Sequence, residues 1–432
     1  MTKTFCPLPW THLATRANGD LRVCCQANQG PNLGLLKDEA GTTYNLNTHS
    51  MRQARNASLV KDIRSSMLKG EKHPECVRCW TEESFNLRSK RLQTLEYCDN
   101  YEEAASITQD DGTVPDDLPY SDFDLRLGNL CNLKCRICAP SDSSMWYEDF
   151  HALTGKTFDD TGFHWYRNEL VWKDLERQLP KIERFFIIGG EPTLIQKHFE
   201  FLELCVEKGY APQIFLEYTT NVTNIHQKFL DIWKNFKGVH IGCSVDGVGA
   251  VNDYVRFPSK WRAIEKNLAK LAEFEKVNGR TDPSEDKKIN VVLATTVCVY
   301  NVYYLDELIK WNMQNHNFVI SMHPLYKSEQ FSVKILPRYA KEAIAAKLRS
   351  SYDWMRSYEA EHLTNSSYDK SAAKLIKDVE GYIEFMMDGD MTDQLHDFWA
   401  DTSRLDEIRG ENIERSLPEL FDLIKDTEFE TL

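Results

Sequence analysis

The sequence predicts an α/β protein in which a partial (β/α)6 barrel follows a small N-terminal module and precedes a helical C-terminal extension. From residue 122 onward, six strand-like segments alternate with amphipathic helical segments. An acidic stretch precedes them, and the cysteines are concentrated before residue 139. Repeated strand–helix alternation is typical of stacked βαβ units with a parallel sheet. We therefore expect four regions, with boundaries at 1–98, 99–121, 122–326 and 327–432.

The composition narrows the class of protein. The 432 residues carry 52 Lys and Arg against 66 Asp and Glu, a net charge of −14. This balance argues against a protein that coats nucleic acid or an anionic membrane. No apolar run reaches membrane-spanning length, and the N-terminus "MTKTFCPLPWTHL" lacks a charged segment followed by an apolar one, so we expect a cytoplasmic protein. Twelve cysteines in such a compartment favour metal or cluster ligation over disulfides.

The predicted barrel rests on six short segments that are apolar, β-branched or aromatic. These are "FDLRL" (123–127), "RFFII" (184–188), "IFLEYTT" (214–220), "VHIGCSV" (239–245), "NVVLATTVCV" (290–299) and "FVISMH" (318–323). Between them, apolar residues recur at helical spacing, as in the run from Trp261 to Phe274, which Gly279 is expected to cap. Asp124 and Arg126 face the same side of the first strand, where an internal ion pair would explain both.

The two regions that flank the predicted barrel show little alternation of strands and helices. Residues 92–125 contain no Lys or Arg, and the segment 99–121 has neither helical nor strand periodicity, which predicts a solvated acidic linker. The tail after 327 contains several short amphipathic helical patterns and no chemical motif. We expect it to pack against the barrel or to cover one of its ends.

One loop carries three cysteines at close spacing. In "GNLCNLKCRICAP" (128–140), Cys131, Cys135 and Cys138 directly follow the first predicted strand. Chemistry in parallel α/β folds gathers at the C-terminal ends of strands. Three thiolates suit an iron–sulfur cluster, in which each iron takes one outer ligand, whereas structural zinc ligands are more often paired two and two. One iron would then stay open to an exogenous ligand.

This loop resembles the CxxxCxxC motif of the radical S-adenosylmethionine (radical SAM) superfamily, over about residues 122–325. The resemblance implies a [4Fe–4S] cluster on the three cysteines, with S-adenosylmethionine (SAM) on its open iron. It implies reductive cleavage of SAM to a 5′-deoxyadenosyl radical that abstracts hydrogen from a peptide or small-molecule substrate, as in an oxidoreductase or transferase. It also implies a one-electron reductant such as flavodoxin or ferredoxin. The implied SAM contacts are Gly189, Gly190, Glu191, Pro192, Thr220, Asn221, Ser244, Asp246 and Arg256.

A second set of cysteines precedes the barrel. Cys6, Cys24, Cys76 and Cys79 could form a closed four-ligand site, for which zinc is a fair interpretation. Their spacing, with Gly19 between the first two, also resembles the SPASM/twitch modules of radical SAM enzymes. That resemblance implies one auxiliary [4Fe–4S] cluster. The adjacent Cys25 could replace Cys24 as a ligand.

Two other functions remain open on the sequence. The first is a non-catalytic zinc or iron–sulfur binding module with a degenerate barrel. The second is an RNA-modifying radical SAM enzyme, although no RNA-binding extension accompanies the barrel and the acidic balance disfavours nucleic acid.

Overall fold

A computed structural model describes residues 2–84, 88–279, 288–325, 328–363 and 367–428. The fold is built on one eight-stranded sheet with the strand order β2-β1-β3-β4-β5-β6-β7-β8. The strands are β1 His12–Thr15, β2 Leu21–Arg22, β3 Asp122–Arg126, β4 Arg184–Ile188, β5 Phe215–Thr220, β6 Gly238–Ser244, β7 Lys288–Val297 and β8 Val319–Pro324.

All six predicted barrel strands are present, as β3 to β8, and each pairs in parallel with the next. Apolar residues pair across the central strands, as where Phe123 lies beside Phe185 and Val239 beside Ile289. Along β5, buried and half-buried side chains alternate, as expected for a pleated strand with two unequal faces. Because the strands are parallel, their C-terminal ends meet at one edge of the sheet.

Eighteen α-helices are found within the described residues, most of them connecting or covering the strands. They are α1 Leu8–Thr11, α2 Ser58–Leu68, α3 Val77–Ser84, α4 Lys90–Leu95, α5 Tyr101–Ile107, α6 Trp146–Thr154, α7 Glu169–Gln178, α8 Gln196–Glu207, α9 Gln227–Trp233, α10 Ala250–Val255, α11 Trp261–Asn278, α12 Leu305–Asn315, α13 Arg338–Ser350, α14 Tyr352–His362, α15 Ala372–Met387, α16 Leu395–Arg409, α17 Ile413–Ser416 and α18 Pro418–Ile424. Gly279 does end α11, but in an extended conformation rather than a left-handed one.

The N-terminal region joins the barrel sheet, contrary to the prediction of a separate module. β1 pairs in parallel with β3, and β2 pairs antiparallel with β1. All four residues of β1 are buried. Two strands of four and two residues are too short for the period-2 pattern to be detected in the sequence.

The prediction of a solvated linker at 99–121 is wrong. The helix α5 lies within it, and Ala104, Val114 and Tyr120 are buried. The Arg55 guanidinium stacks 3.2 Å from the centroid of the Tyr120 ring. Polar and acidic residues separate these buried side chains along the chain. The composition of the segment therefore did not indicate that it packs against the rest of the fold.

The C-terminal region is helical, as predicted, and packs against the barrel. Leu395, Phe398 and Leu420 are buried in the main core. The predicted boundary at 326–327 lies outside the described residues. Across the described ranges, no helix combines the length and the apolar character needed to cross a membrane.

Candidate functional site

The loop that follows β3, residues 128–140, is called the cluster loop below. Its three cysteines line one cavity. This cluster-loop cavity has a volume of about 320 Å³, and Cys131, Cys135 and Cys138 lie on its wall. The ends of five strands also line it, through Arg126, Ile188, Thr219, Thr220, Ser244 and Thr296. The cysteines therefore lie at the edge of the parallel sheet that the C-terminal ends of the strands form, as the sequence predicts.

Six of the nine predicted SAM contacts line the same cavity. They are Gly189, Gly190, Thr220, Asn221, Ser244 and Arg256. Arg126 and Thr296 also line it, and the sequence analysis did not select them as SAM contacts, although both lie at strand ends. Glu191, Pro192 and Asp246 do not line the cavity, and they are buried behind it.

Glu191 connects two strand ends instead of facing the cavity. Its buried carboxylate accepts hydrogen bonds from the Thr193 amide at 3.1 Å and the Thr220 hydroxyl at 2.8 Å. It also accepts one from the Asn221 amide at 2.6 Å. Burial raises the pKa of Glu191, and these hydrogen bonds oppose that rise. The Thr193 hydroxyl donates to the same carboxylate at 2.6 Å. A carboxylate with four donors holds the ends of β4 and β5 together, which places Asn221 at the cavity.

Asp246 acts through Arg256. Its carboxylate accepts from the Arg256 Nη1 at 2.7 Å and from the Thr296 amide at 2.8 Å. The Nε of Arg256 is buried without a hydrogen-bond partner among the described residues. Arg256 is thus fixed through one nitrogen, with a second donor still available.

The two glycines after β4 allow two loops to pack closely. The Gly190 amide donates to the Gly128 carbonyl at 3.1 Å, and the Glu191 amide donates to the Leu130 carbonyl at 2.7 Å. A Cβ at Gly190 would lie 2.3 Å from the Leu130 oxygen and 2.6 Å from the Asn129 carbonyl carbon. These neighbours are backbone atoms of the cluster loop, so a side chain would displace the loop itself.

We expect Gly190→Ala to lower the free energy of unfolding by about 1–3 kcal/mol, the usual range for overpacking. Gly381→Ala is the matched control, because Gly381 lies inside α15 and a Cβ there would meet nothing within 4 Å. That change should stabilise the protein by about 0.5–1 kcal/mol through helix propensity. Urea denaturation of both variants checks the pair, and equal effects would contradict the close approach at Gly190.

The backbone of the cluster loop forms hydrogen bonds with residues outside the loop. The Lys134 amide donates to the Phe257 carbonyl at 2.7 Å, and the Arg136 amide donates to the Val255 carbonyl at 2.8 Å. The Trp146 indole donates to the Cys135 carbonyl at 2.9 Å. The loop is therefore ordered by contacts that leave the three thiols free for ligation.

Arg136, inside the motif, connects this loop to the C-terminal helices. Its side chain is fully buried, and it donates from Nε to the Tyr254 carbonyl at 3.2 Å. From Nη2 it donates to Asp406 and, at 2.9 Å, to Glu411. The guanidinium also lies 3.6 Å from the centroid of the Tyr254 ring. The C-terminal extension, which has no chemical motif of its own, thus fastens the cysteine loop.

The thiols of the cluster loop lie close enough to influence one another. Cys135 and Cys138 share a hydrogen bond, which lowers the pKa of Cys135 and raises that of Cys138. Burial raises the pKa of Cys131 to about 11. The Arg256 charge favours the thiolate form of all three. A positively charged group beside closely spaced thiols is suited to thiolate ligation.

The N-terminal cysteines line a second cavity. This four-thiol cavity is bounded by Cys6, Cys24, Cys76 and Cys79. Its other walls are mostly apolar, with Lys90 and Arg91 beside them. Burial, together with the neighbouring Cys79 charge, raises the pKa of Cys76 to about 12. Cys25 lies instead in a different cavity, with Arg16 and Arg22.

Both sets of thiols surround a cavity. Within the described ranges, no three His, Cys, Asp or Glu side chains are placed to hold one metal ion. Thiols that surround a cavity suit a cluster, in which each iron takes its own outer ligand. The basic Lys90 and Arg91 would offset the negative charge of four thiolates.

Comparison with known families supports the same chemistry. The family model described as the radical SAM superfamily matches residues 125–281, which include the cluster loop, the last two residues of β3, and β4 to β6. Over this range the chain is similar to the radical SAM superfamily. A comparison with curated proteins finds no match to this chain.

The chain also has weak similarity to solved structures. Native anSMEcpe with bound AdoMet and Kp18Cys peptide is 18% identical with a TM-score of 0.35, and the match covers 54% of this chain and 58% of that one. Streptococcus suis SuiB bound to S-adenosylmethionine is 19% identical with a TM-score of 0.36, covering 71% and 64%. The chain thus spans less than two thirds of the length of either.

Proposed function

We propose that this chain, whose residues 125–281 are similar to the radical SAM superfamily, is an enzyme that cleaves SAM reductively and abstracts hydrogen from a peptide or small-molecule substrate. The observation that supports this most is the convergence of Cys131, Cys135 and Cys138 with the ends of five strands, four of which contribute polar side chains, in one cavity. Cys131, Cys135 and Cys138 would hold a [4Fe–4S] cluster there, which would supply the one-electron chemistry for cleaving SAM.

The chain's own residues would bind and orient SAM. Asn221 is held beside the cluster loop, because its Nδ2 donates to the Asn132 side chain at 2.9 Å and lies 3.7 Å from the Cys131 Sγ. Ser244 and Thr220 add hydroxyl groups to the same wall. Arg256 supplies the donor for the SAM carboxylate, since its Nε has no partner among the described residues and its charge is fixed by Asp246.

The four-thiol cavity would hold an auxiliary [4Fe–4S] cluster. Its four thiols provide one ligand for each iron, which favours a role in electron transfer or structure over substrate ligation. Cys24 is the ligand in this proposal, because Cys25 lines the other cavity. We further propose a cytoplasmic enzyme of oxidoreductase or transferase type that takes electrons from a flavodoxin or ferredoxin.

Anaerobic reconstitution of the full chain, followed by addition of SAM and dithionite, tests the proposal. We expect about eight irons and about eight sulfides per chain, the content of two clusters. We also expect 5′-deoxyadenosine and methionine in equal amounts, measured by liquid chromatography with mass spectrometry. Zinc without sulfide would indicate the binding-module function instead. A fully loaded protein that forms no 5′-deoxyadenosine would contradict the proposed reaction.

A further inference from the structure

A third cavity adjoins the cluster-loop cavity and is lined by three arginines. This arginine cavity has a volume of about 540 Å³ and is lined by Arg16, Arg22 and Arg126. Arg126 and Asp142 line both it and the cluster-loop cavity. The N-terminal region contributes Arg16 and Arg22, and the barrel contributes Arg126 from the end of β3. The two regions of the chain thus build this cavity together.

Two of the three guanidinium groups form no direct ion pair. In the part of the chain that the structure describes, neither Arg16 nor Arg126 has a carboxylate oxygen within 4.0 Å of its side-chain nitrogens. The ion pair expected between Asp124 and Arg126 is not formed, and neither Asp124 oxygen accepts a hydrogen bond from Arg126. The Asp142 carboxylate, on the same wall, accepts from the Ala139 amide at 3.1 Å. Arg126 acts on the buried Asp124 carboxylate only through its charge, which opposes the rise in the pKa of that group that burial causes.

The third arginine is rigidly placed beside them. Arg22 donates from Nε to the Leu33 carbonyl at 3.1 Å and from Nη2 to the Ala27 carbonyl at 2.8 Å. Burial lowers the pKa of Arg22, and the charges of Arg16 and Arg126 lower it further, whereas the neighbouring Cys24 and Cys25 raise it. The three positive charges thus lie within electrostatic reach of one another, which is unfavourable until an anion joins them.

We propose that Arg16, Arg22 and Arg126 bind an oxyanion of the substrate, a carboxylate or a phosphate. The planar guanidinium fork matches the geometry of both groups and binds them more strongly than a neutral donor does. This inference rests on the proposed function, because it assigns the substrate of that reaction.

The position of the cavity explains how the oxyanion would serve the reaction. Arg126 lies on the wall common to both cavities, so an anion bound to it lies next to the SAM cavity. Charge pairing there would fix one end of the substrate and bring the rest toward the radical, and such positioning is a large part of enzymatic rate enhancement. In a chain with a net charge of −14, this cavity would be a local basic site for the anion.

Titration of anions into the anaerobically reconstituted full chain tests the site. Inorganic pyrophosphate and succinate are the two probes, measured by isothermal titration calorimetry at low ionic strength. We expect at least one probe to bind, and Arg16→Gln and Arg126→Gln each to weaken that binding at least tenfold. Arg16→Lys should give an intermediate loss, because it keeps the charge and removes the fork. Tighter binding of pyrophosphate would indicate a phosphorylated substrate, and tighter binding of succinate a carboxylate.

Arg262→Gln is the matched control, since Arg262 is exposed on α11 and lines none of the three cavities. The Arg262→Gln variant should bind both probes with the affinity of the unmodified protein. The site is overturned if neither probe binds, or if the Arg16 and Arg126 variants bind as tightly as the control. Formation of 5′-deoxyadenosine is measured on the same preparation. SAM cleavage without anion binding therefore rejects the arginine site alone, and anion binding without SAM cleavage rejects the proposed function alone.

Discussion

Replacing Cys131, Cys135 and Cys138 together by alanine will abolish formation of 5′-deoxyadenosine and remove about four of about eight irons per chain. The three thiols line one cavity with the ends of five strands, and among the residues that the structure describes no other cysteine lines it. Loss of these ligands therefore removes the open iron that SAM requires, and the four thiols around the other cavity stay in place. Iron and sulfide analysis, followed by the SAM cleavage assay, measures both effects on one sample.

Cys205→Ala provides the control for this variant. Cys205 is buried in α8 and lines neither thiol cavity, so both the iron content and SAM cleavage should be kept. If the triple variant still cleaved SAM, the assignment of the cluster loop would be wrong. If it lost all of its iron, the two thiol sites would not be independent.

Arg136→Met will destabilise the protein by about 3–5 kcal/mol, the usual range when one partner of a buried ion pair is removed. The change leaves Asp406 and Glu411 without their buried cation and close to each other. It also releases the cluster loop from the C-terminal helices, so we expect iron to be lost from that loop first. Urea denaturation and iron analysis of the reconstituted protein measure the two effects.

Arg349→Met is the matched control, because the Arg349–Glu380 pair is a surface pair whose arginine side chain is 51% exposed. Its loss should change the stability by less than about 1 kcal/mol. Equal destabilisation by the two changes would contradict the role of Arg136 in fastening the loop.

The stability of Arg136→Met should also depend more strongly on pH. Burial raises the pKa of Glu411 above its usual range, and the Arg136 charge opposes that rise. A carboxyl group with a raised pKa in the folded state binds protons there that the unfolded state has released, so stability falls as pH rises through that window. Without Arg136 the pKa of Glu411 rises further, and the variant should recover stability more than the unmodified protein as pH is lowered from 7 toward 5.

Part of the fold followed from local patterns. The six barrel strands were each predicted to within about two residues, because buried parallel strands are continuous runs of apolar and β-branched residues. The short strands β1 and β2 carry no such run. β1 pairs with β3, which lies more than 100 residues away in the chain, and β2 joins the sheet only by pairing with β1. The same holds for Ala104 and Val114, whose burial within an acidic segment depends on what packs over them.

The candidate site, too, was predictable from the sequence only in part. The spacing of Cys131, Cys135 and Cys138 within eight residues determined the radical SAM interpretation, and the position after a strand determined which end of the sheet they occupy. Spacing in the sequence did not distinguish Cys24 from Cys25, since adjacent side chains diverge and only the fold decides which cavity each one enters.

The sequence by itself therefore determined the class of fold, the three-cysteine loop and the end of the sheet at which chemistry occurs, because each is written in residues close together in the chain. Only the tertiary structure decided that Glu191 and Asp246 support the cavity from behind, that Arg136 is held by Asp406 from 270 residues away, and that Arg16 and Arg126 meet in one cavity. These contacts join residues that no repeating pattern in the sequence connects. Only the folded chain brings them together.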